Sequence, residues 1–128
     1  MIVCGLGRYG RGIADELQRT GHRVLGLDFD PQALEAWAET GHPAVYGDLE
    51  DPELAAELPL EYVKWVISSV ARRDANLALI HALDHQGFKG KIAVTDDLSE
   101  RGADLVLRPF SVAAERAVAA LASDSDDD

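Results

Sequence analysis

Apolar positions along the chain follow two alternating rhythms. Short runs that are apolar almost throughout occupy residues 1–5, 23–28, 44–47, 63–68, 91–95 and 105–107. Such runs suit parallel strands buried on both faces. Between them the spacing widens to three and four. Ile13 and Leu17 share one face of a helix over residues 9–20, which Thr20-Gly21 ends. Asp30-Pro31 reads as a cap and first turn, opening a helix with Leu34, Trp37 and Ala38 on one face and a stop at Thr40-Gly41. Thr20-Gly21-His22 thus recurs as Thr40-Gly41-His42, as expected of two successive βα units that end alike. Asp51-Pro52 predicts a further helix with Leu54 and Leu58 inward, and residues 74–86 another, closed by Gly87. A short helical turn near Ser99 closes at Gly102, and Ser111 caps an Ala-rich helix running to about Ala122. Strands and helices alternate six times. The pattern predicts an α/β, Rossmann-like, doubly wound parallel sheet of six strands in a single domain over residues 1–122.

The first unit carries candidate chemistry. Gly5-Leu6-Gly7-Arg8-Tyr9-Gly10 follows the first strand and opens the first helix, and the second strand ends at Asp28, eighteen residues past Gly10. Strand, G-x-G-x-x-G turn, helix, strand and terminal acid form a dinucleotide-binding fingerprint. Gly5 allows the turn, Gly7 lets backbone approach a pyrophosphate, and Gly10 lets the helix pack closely. The helix start offers N–H groups and a positive dipole end to phosphate. Asp28 is placed to accept from ribose hydroxyls and to repel a 2′-phosphate, which favours NAD or another adenosine nucleotide over NADP. In a doubly wound sheet, ligands bind beyond the strand carboxyl ends, so Gly7, Asp28, Asp48 and Ser68 should converge on one crevice.

Composition narrows the partners. A net charge of −11 argues against nucleic acid and anionic membrane surfaces. Residues 123–128 supply four of those charges and are expected to form a disordered acidic tail. Cys4 is the only cysteine, which excludes an internal disulfide and suits a small buried residue in a reducing compartment. No apolar stretch is long enough to span a bilayer, so no direct membrane insertion is expected. Only four residues precede Gly5, which suggests a domain excised from a longer chain.

With Leu27-Asp28-Phe29-Asp30-Pro31, Val45-Tyr46-Gly47-Asp48 and Asp74-Ala75-Asn76 added to the glycine turn, residues 2 to about 122 resemble the RCK N-terminal domain, also called TrkA-N or KTN. That domain is the nucleotide sensor of potassium channels, potassium uptake systems and Kef-type cation/proton antiporters. The ending Gly102-Ala103-Asp104-Leu105-Val106-Leu107-Arg108-Pro109-Phe110 looks most like the antiporter branch. The resemblance implies a non-enzymatic regulatory domain that binds NAD(H), AMP, ADP or ATP. It implies a homodimer at the cytoplasmic face of the membrane, partnered with a potassium transporter or antiporter subunit. Residue by residue, it implies that the backbone of Leu6 to Gly10 holds phosphates, with Arg8 reaching one of them. Asp28 would bind ribose, Phe29 would border the adenine pocket with Asp30 also among the cofactor-binding residues, Asp48 and Leu49 would meet the adenine edge, and Ser68 and Ser69 would line the ribose-phosphate side.

Plainer readings stand beside these. Asp48 can cap the turn into Asp51-Pro52, Arg8 can be a surface arginine, Tyr9 can pack at the helix start, and Ser68 and Ser69 can be ordinary strand-end hydroxyls. His81 and His85 share a helix face at zinc-compatible spacing but lack a third ligand, so no metal site is expected. The last helix (Val112, Ala113, Ala117, Val118, Leu121) suits core packing or a dimer contact. The other functional class is a small NAD-dependent oxidoreductase. It would need a proton donor, yet Tyr9, Tyr46 and Tyr62 are followed four residues on by Ile13, Glu50 and Val66, not by the lysine of a Tyr-x-x-x-Lys pair.

Overall fold

The computed structural model describes residues 1–95, 98, 101–107 and 118–122. Six parallel strands form one sheet: β1 (Ile2–Cys4), β2 (Leu25–Asp28), β3 (Ala44–Tyr46), β4 (Trp65–Ser68), β5 (Lys91–Val94) and β6 (Leu105–Val106). Their order across the sheet is β3-β2-β1-β4-β5-β6. The chain winds outward from β1 in one direction, then restarts beside it at β4. The reversal opens a crevice between β1 and β4 at the carboxyl ends of the strands, where the fold places a ligand. Register fixes the two walls: Cys4 pairs with Leu27 on one side and with Ser68 on the other.

Strand parity divides the core. Val3, Trp65, Ile67 and Ala93 point to the face covered by α1 (Arg8–Arg19), α2 (Pro31–Ala38) and the helical residues 118–122. Ile2, Cys4, Val66, Ile92 and Val94 point to the face covered by α3 (Arg73–His85). With cover on both sides, the strands read as nearly unbroken apolar runs. Helix α1 buries Gly10, Ile13, Ala14 and Leu17, a three-four spacing that lays one stripe on the sheet. It ends where the His22 N–H reaches back to the Leu17 carbonyl at 3.0 Å. Asp30 caps α2 by accepting from the Gln32 N–H at 3.0 Å, with Pro31 in the first turn. On that helix Trp37 is fully buried and donates to the Pro43 carbonyl at 2.9 Å, Leu34 is half-buried, and Ala38 is exposed.

One expected helix is absent. After Asp51-Pro52 the chain makes two short 3₁₀ turns, Leu54–Glu57 and Leu60–Tyr62. Pro59 is the reason. The residue before a proline is driven out of the helical region, and Leu58 is extended at φ −89° and ψ 148°. Leu54 and Leu58 are buried all the same. The Arg101 and Ala103 N–H groups both donate to the Leu98 carbonyl, at 2.9 and 3.0 Å, and Gly102 adopts φ +113°, while the helical turn expected near Ser99 falls outside the described residues. Ser99, Arg108, Pro109, Phe110, the Ser111 cap, Val112, Ala113, Ala117 and the acidic tail lie outside the described residues. Val118 and Leu121 pack into the core, while Ala119 and Ala120 are exposed.

Two predictions follow from this packing. A Cβ on Gly10 would sit 1.7 Å from the Gly5 carbonyl oxygen, so α1 must touch the turn with bare backbone. Gly10→Ala should destabilise the fold by about 3 kcal/mol or more, read as a lower urea midpoint at unchanged slope. Burial, with the negative charge of Asp28 adding to it, pushes the Cys4 thiol from its ordinary 9.0 up to about 12. The raised value means that this contribution to stability is complete below pH 9 and is lost as pH climbs towards 12. Iodoacetamide should leave Cys4 unmodified in the native protein at pH 8 and label it fully in denaturant, and the urea midpoint should fall above pH 9.

Candidate functional site

The glycine turn and Asp28 are joined directly. Asp28 Oδ2 accepts the Leu6 N–H at 2.8 Å, and Oδ1 accepts the Asp30 N–H at 2.9 Å. A carboxylate offers about four lone-pair positions, so these bonds leave acceptor capacity facing outward. The Gly5 N–H donates to the Leu27 carbonyl at 2.8 Å, and the Gly47 N–H to the Asp28 carbonyl at 3.1 Å. Three strand ends are thereby tied side by side. Gly5 adopts φ +86°, a conformation that side chains disfavour, and a Cβ there would meet Ser69 Oγ at 2.6 Å.

Helix α1 begins at this turn. Its first intrahelical bond runs from the Arg11 N–H to the Gly7 carbonyl at 2.7 Å. The N–H groups of Arg8, Tyr9 and Gly10 precede it and have no carbonyl within the helix to meet. Gly7 caps without a side chain, and a Cβ there would meet no protein atom within 4 Å. The space in front of α1 is therefore open at Gly7, as a bulky anion requires. Arg8 is exposed at the same helix start and makes no ion pair among the described residues. Tyr9 is half-buried against the core, where burial raises its pKa, and its hydroxyl has no hydrogen-bond partner among the described residues.

Beside the turn lies a narrow cleft, with a cavity volume of about 30 Å³, lined by Gly5, Leu27, Asp28, Phe29, Gly47, Asp48, Leu49, Val70, Arg72 and Ala75. Phe29 is 56% exposed at its rim. Leu49 is buried, and Asp48 is exposed with Oδ1 accepting the Glu50 N–H at 3.0 Å. Asp48 therefore caps its turn and lines the cleft as well. Asp30, occupied as the α2 cap, is not among the lining residues. Nor are the serines. Ser68 is fully buried and its Oγ accepts the Val70 N–H at 3.3 Å, while the Ser69 Oγ donates to the Gly5 carbonyl at 2.8 Å. Both hydroxyls brace the glycine turn and the chain beyond β4.

The sequence reading missed the wall contributed by that chain. Arg72 lines the cleft and pairs with Glu50 at 2.9 Å. Asn76 is fully buried and donates to the Val70 carbonyl at 2.9 Å, and Thr95 Oγ1 donates to the same carbonyl at 2.7 Å. These bonds fix the wall. The available signal was topological: the crevice lies between β1 and β4, so whatever follows β4 must flank it. Among the described residues no three His, Cys, Asp or Glu side chains are placed to hold a metal, and His81 and His85 are both exposed.

The arrangement is asymmetric. Backbone donors and Arg8 lie at the start of α1, and the acceptors Asp28 and Asp48 line the cleft beside Arg72, whose charge is paired with Glu50, above an apolar floor of Leu27, Leu49 and Val70. Such a site matches a ligand that is anionic at one end and a hydrogen-bond donor at the other.

Comparison with known proteins bears on the family and the fold. The family model of the TrkA-N domain matches residues 1–109. The chain is 32% identical over 68 residues, 53% of its length, to the Ktr system potassium uptake protein A of Bacillus subtilis (strain 168), of which it covers 31%. It is 28% identical over 115 residues, 84% of its length, to the Ktr system potassium uptake protein A of Vibrio alginolyticus, of which it covers 52%. The chain thus spans about half, or less, of the length of these relatives. Among solved structures, the NAD(P)-binding domain of an exopolyphosphatase-related protein from Archaeoglobus fulgidus shares 27% identity at a TM-score of 0.70, covering 98% of this chain and 96% of that one. The GsuK channel bound to NAD shares the fold at 18% identity and a TM-score of 0.70, covering 84% of this chain and 21% of that one. The Kef CTD of Shewanella denitrificans in AMP-bound form shares it at 20% identity and a TM-score of 0.61, covering 74% and 58%. With its motif, its strand order and a family match over most of its length in accord, the chain belongs to the TrkA-N domain family.

Proposed function

We propose that this chain is a regulatory nucleotide-binding domain that takes NAD(H) or an adenine nucleotide (AMP, ADP or ATP) and passes the bound state to a membrane potassium transporter or cation/proton antiporter. The observation that supports the reading is the 2.8 Å bond between Asp28 and the Leu6 N–H, which holds the carboxylate expected to meet ribose beside the turn expected to meet phosphate. Phosphates would lie against the N–H groups of Gly7 to Gly10, with the Arg8 guanidinium over them. The Leu6 N–H, already held by Asp28, would link the halves of the site. Ribose would donate to Asp28, and the base would enter between Phe29, Leu49 and Val70 with its amino edge towards Asp48. At about 30 Å³ the cleft admits a base only when the exposed Phe29 and Arg72 side chains swing outward.

The potassium uptake relatives support the transport context, and the fold holds NAD in one neighbour and AMP in another. The antiporter branch and a homodimer belong to the same proposal. Regulation needs no chemistry: a ligand biases a transporter by the difference in its affinity for two arrangements of the assembly. The cytoplasmic placement at the inner membrane face follows from that role. No helix among the described residues is long and apolar enough to cross a membrane.

Titration calorimetry tests the reading. Wild-type protein should bind NADH, AMP or ATP, and NADP more weakly than NAD. Asp28→Ala should weaken binding by about 1–3 kcal/mol, the scale of lost charge-assisted hydrogen bonds. A thermal melt run alongside separates lost binding from lost folding, because Asp28 also holds the turn. Flat traces for all three nucleotides would sink the proposal, and sustained NADH oxidation with simple carbonyl substrates would favour the oxidoreductase instead. Native mass spectrometry should show a dimer.

A further inference from the structure

The opposite end of the sheet carries the opposite charge. The chain has three lysines, Lys64, Lys89 and Lys91. All three line one groove, with a cavity volume of about 550 Å³, at the amino ends of β4 and β5. Leu60 and Phe88 contribute apolar surface, and Glu61 is the only acid in the lining. The groove adjoins, through Val63, a second depression of about 440 Å³ that adds His22, Arg23 and His42 and no acid. In a chain of net charge −11, this concentration of cations marks a surface for an acidic segment.

We propose that the groove docks residues 123–128 of this same chain, Ser-Asp-Ser-Asp-Asp-Asp. The charges are complementary: the segment has four aspartates and the groove three lysines. Proximity is the second argument. Leu121 is fully buried in the same cluster as Trp65, the first residue of β4. Lys91 Nζ lies 5.9 Å from the centroid of the Trp65 ring. The last described helical residues, 118–122, thus end on the sheet face that also holds Trp65. Six extended residues reach about 20 Å, enough to cross the groove. Each exposed ion pair is weak, but a tether raises the effective concentration of the tail to about millimolar, so several weak pairs act together. The docked tail masks a basic surface that an acidic segment of another protein would otherwise occupy. The proposal does not depend on nucleotide binding.

Carbodiimide cross-linking of the whole chain at low ionic strength, followed by peptide mapping, tests it. Amide links should join Lys64, Lys89 or Lys91 to Asp124, Asp126, Asp127 or Asp128 in species of monomer mass, and should vanish in about 1 M salt, where screening is complete within about 3 Å. Coupling of lysine to Glu61 shows that the reagent has acted, so links to Glu61 alone would overturn the proposal. Tail links found only at dimer mass would overturn it in favour of a second copy. Changing the four tail aspartates to asparagine should raise acylation of Lys89 and Lys91 about two- to fivefold, with an unchanged thermal melt. An unchanged rate overturns docking, and lysine protection by phosphatidylserine vesicles that is equal in both proteins would assign the groove to lipid instead.

Discussion

The site depends on one short hydrogen bond. By accepting the Leu6 N–H, Asp28 joins the end of β2 to the turn that leaves β1. Without it the two strand ends would be neighbours only through the sheet ladder, whose last rung pairs Cys4 with Leu27. With it, the carboxylate is held in one orientation, its remaining lone pairs directed outward, before any ligand arrives. Such preorganisation matters because a side chain ordered in advance does not lose freedom on binding. The same bond lets a single acid do two things: it braces the glycine turn and keeps further acceptor capacity.

The second wall is braced just as firmly. Ser69 reaches across to the Gly5 carbonyl, and the Val70 carbonyl receives bonds from both Asn76 and Thr95. Polar side chains in this region mostly serve backbone, Asp48 included, and Arg8, Phe29 and the Glu50–Arg72 pair are the exposed side chains around them. The charge distribution follows the same axis: acids cluster where the strands end, and lysines where β4 and β5 begin.

Much of this was legible in the sequence because the signals were local. The Asp30-Pro31 cap, the Thr20-Gly21 stop and the apolar strand runs depend on neighbours a few residues away, and the structure honours each of them. The helix expected after Asp51-Pro52 gives way to another local signal, Pro59, which holds Leu58 extended. Site residues were harder, because a strand-end side chain faces solvent or core according to parity. Ser68 shares parity with Val66 and points under α3, so it is buried; counting back along β4 would have shown this. The Glu50–Arg72 pair joins positions 22 residues apart, and only the folded sheet brings them together.

The strand order also sets when the site comes into being. Both halves of the nucleotide fingerprint lie within the first 28 residues, yet the turn is braced by Ser69, 64 positions beyond Gly5, and β1 is completed by β4. Closing so long a loop is slow compared with forming the helices around it. A nascent chain at its fiftieth residue therefore displays the motif without the crevice. Competence arrives late and at once, when β4 slots in beside β1, so any truncation short of that strand would carry the signature of the family and none of its grip.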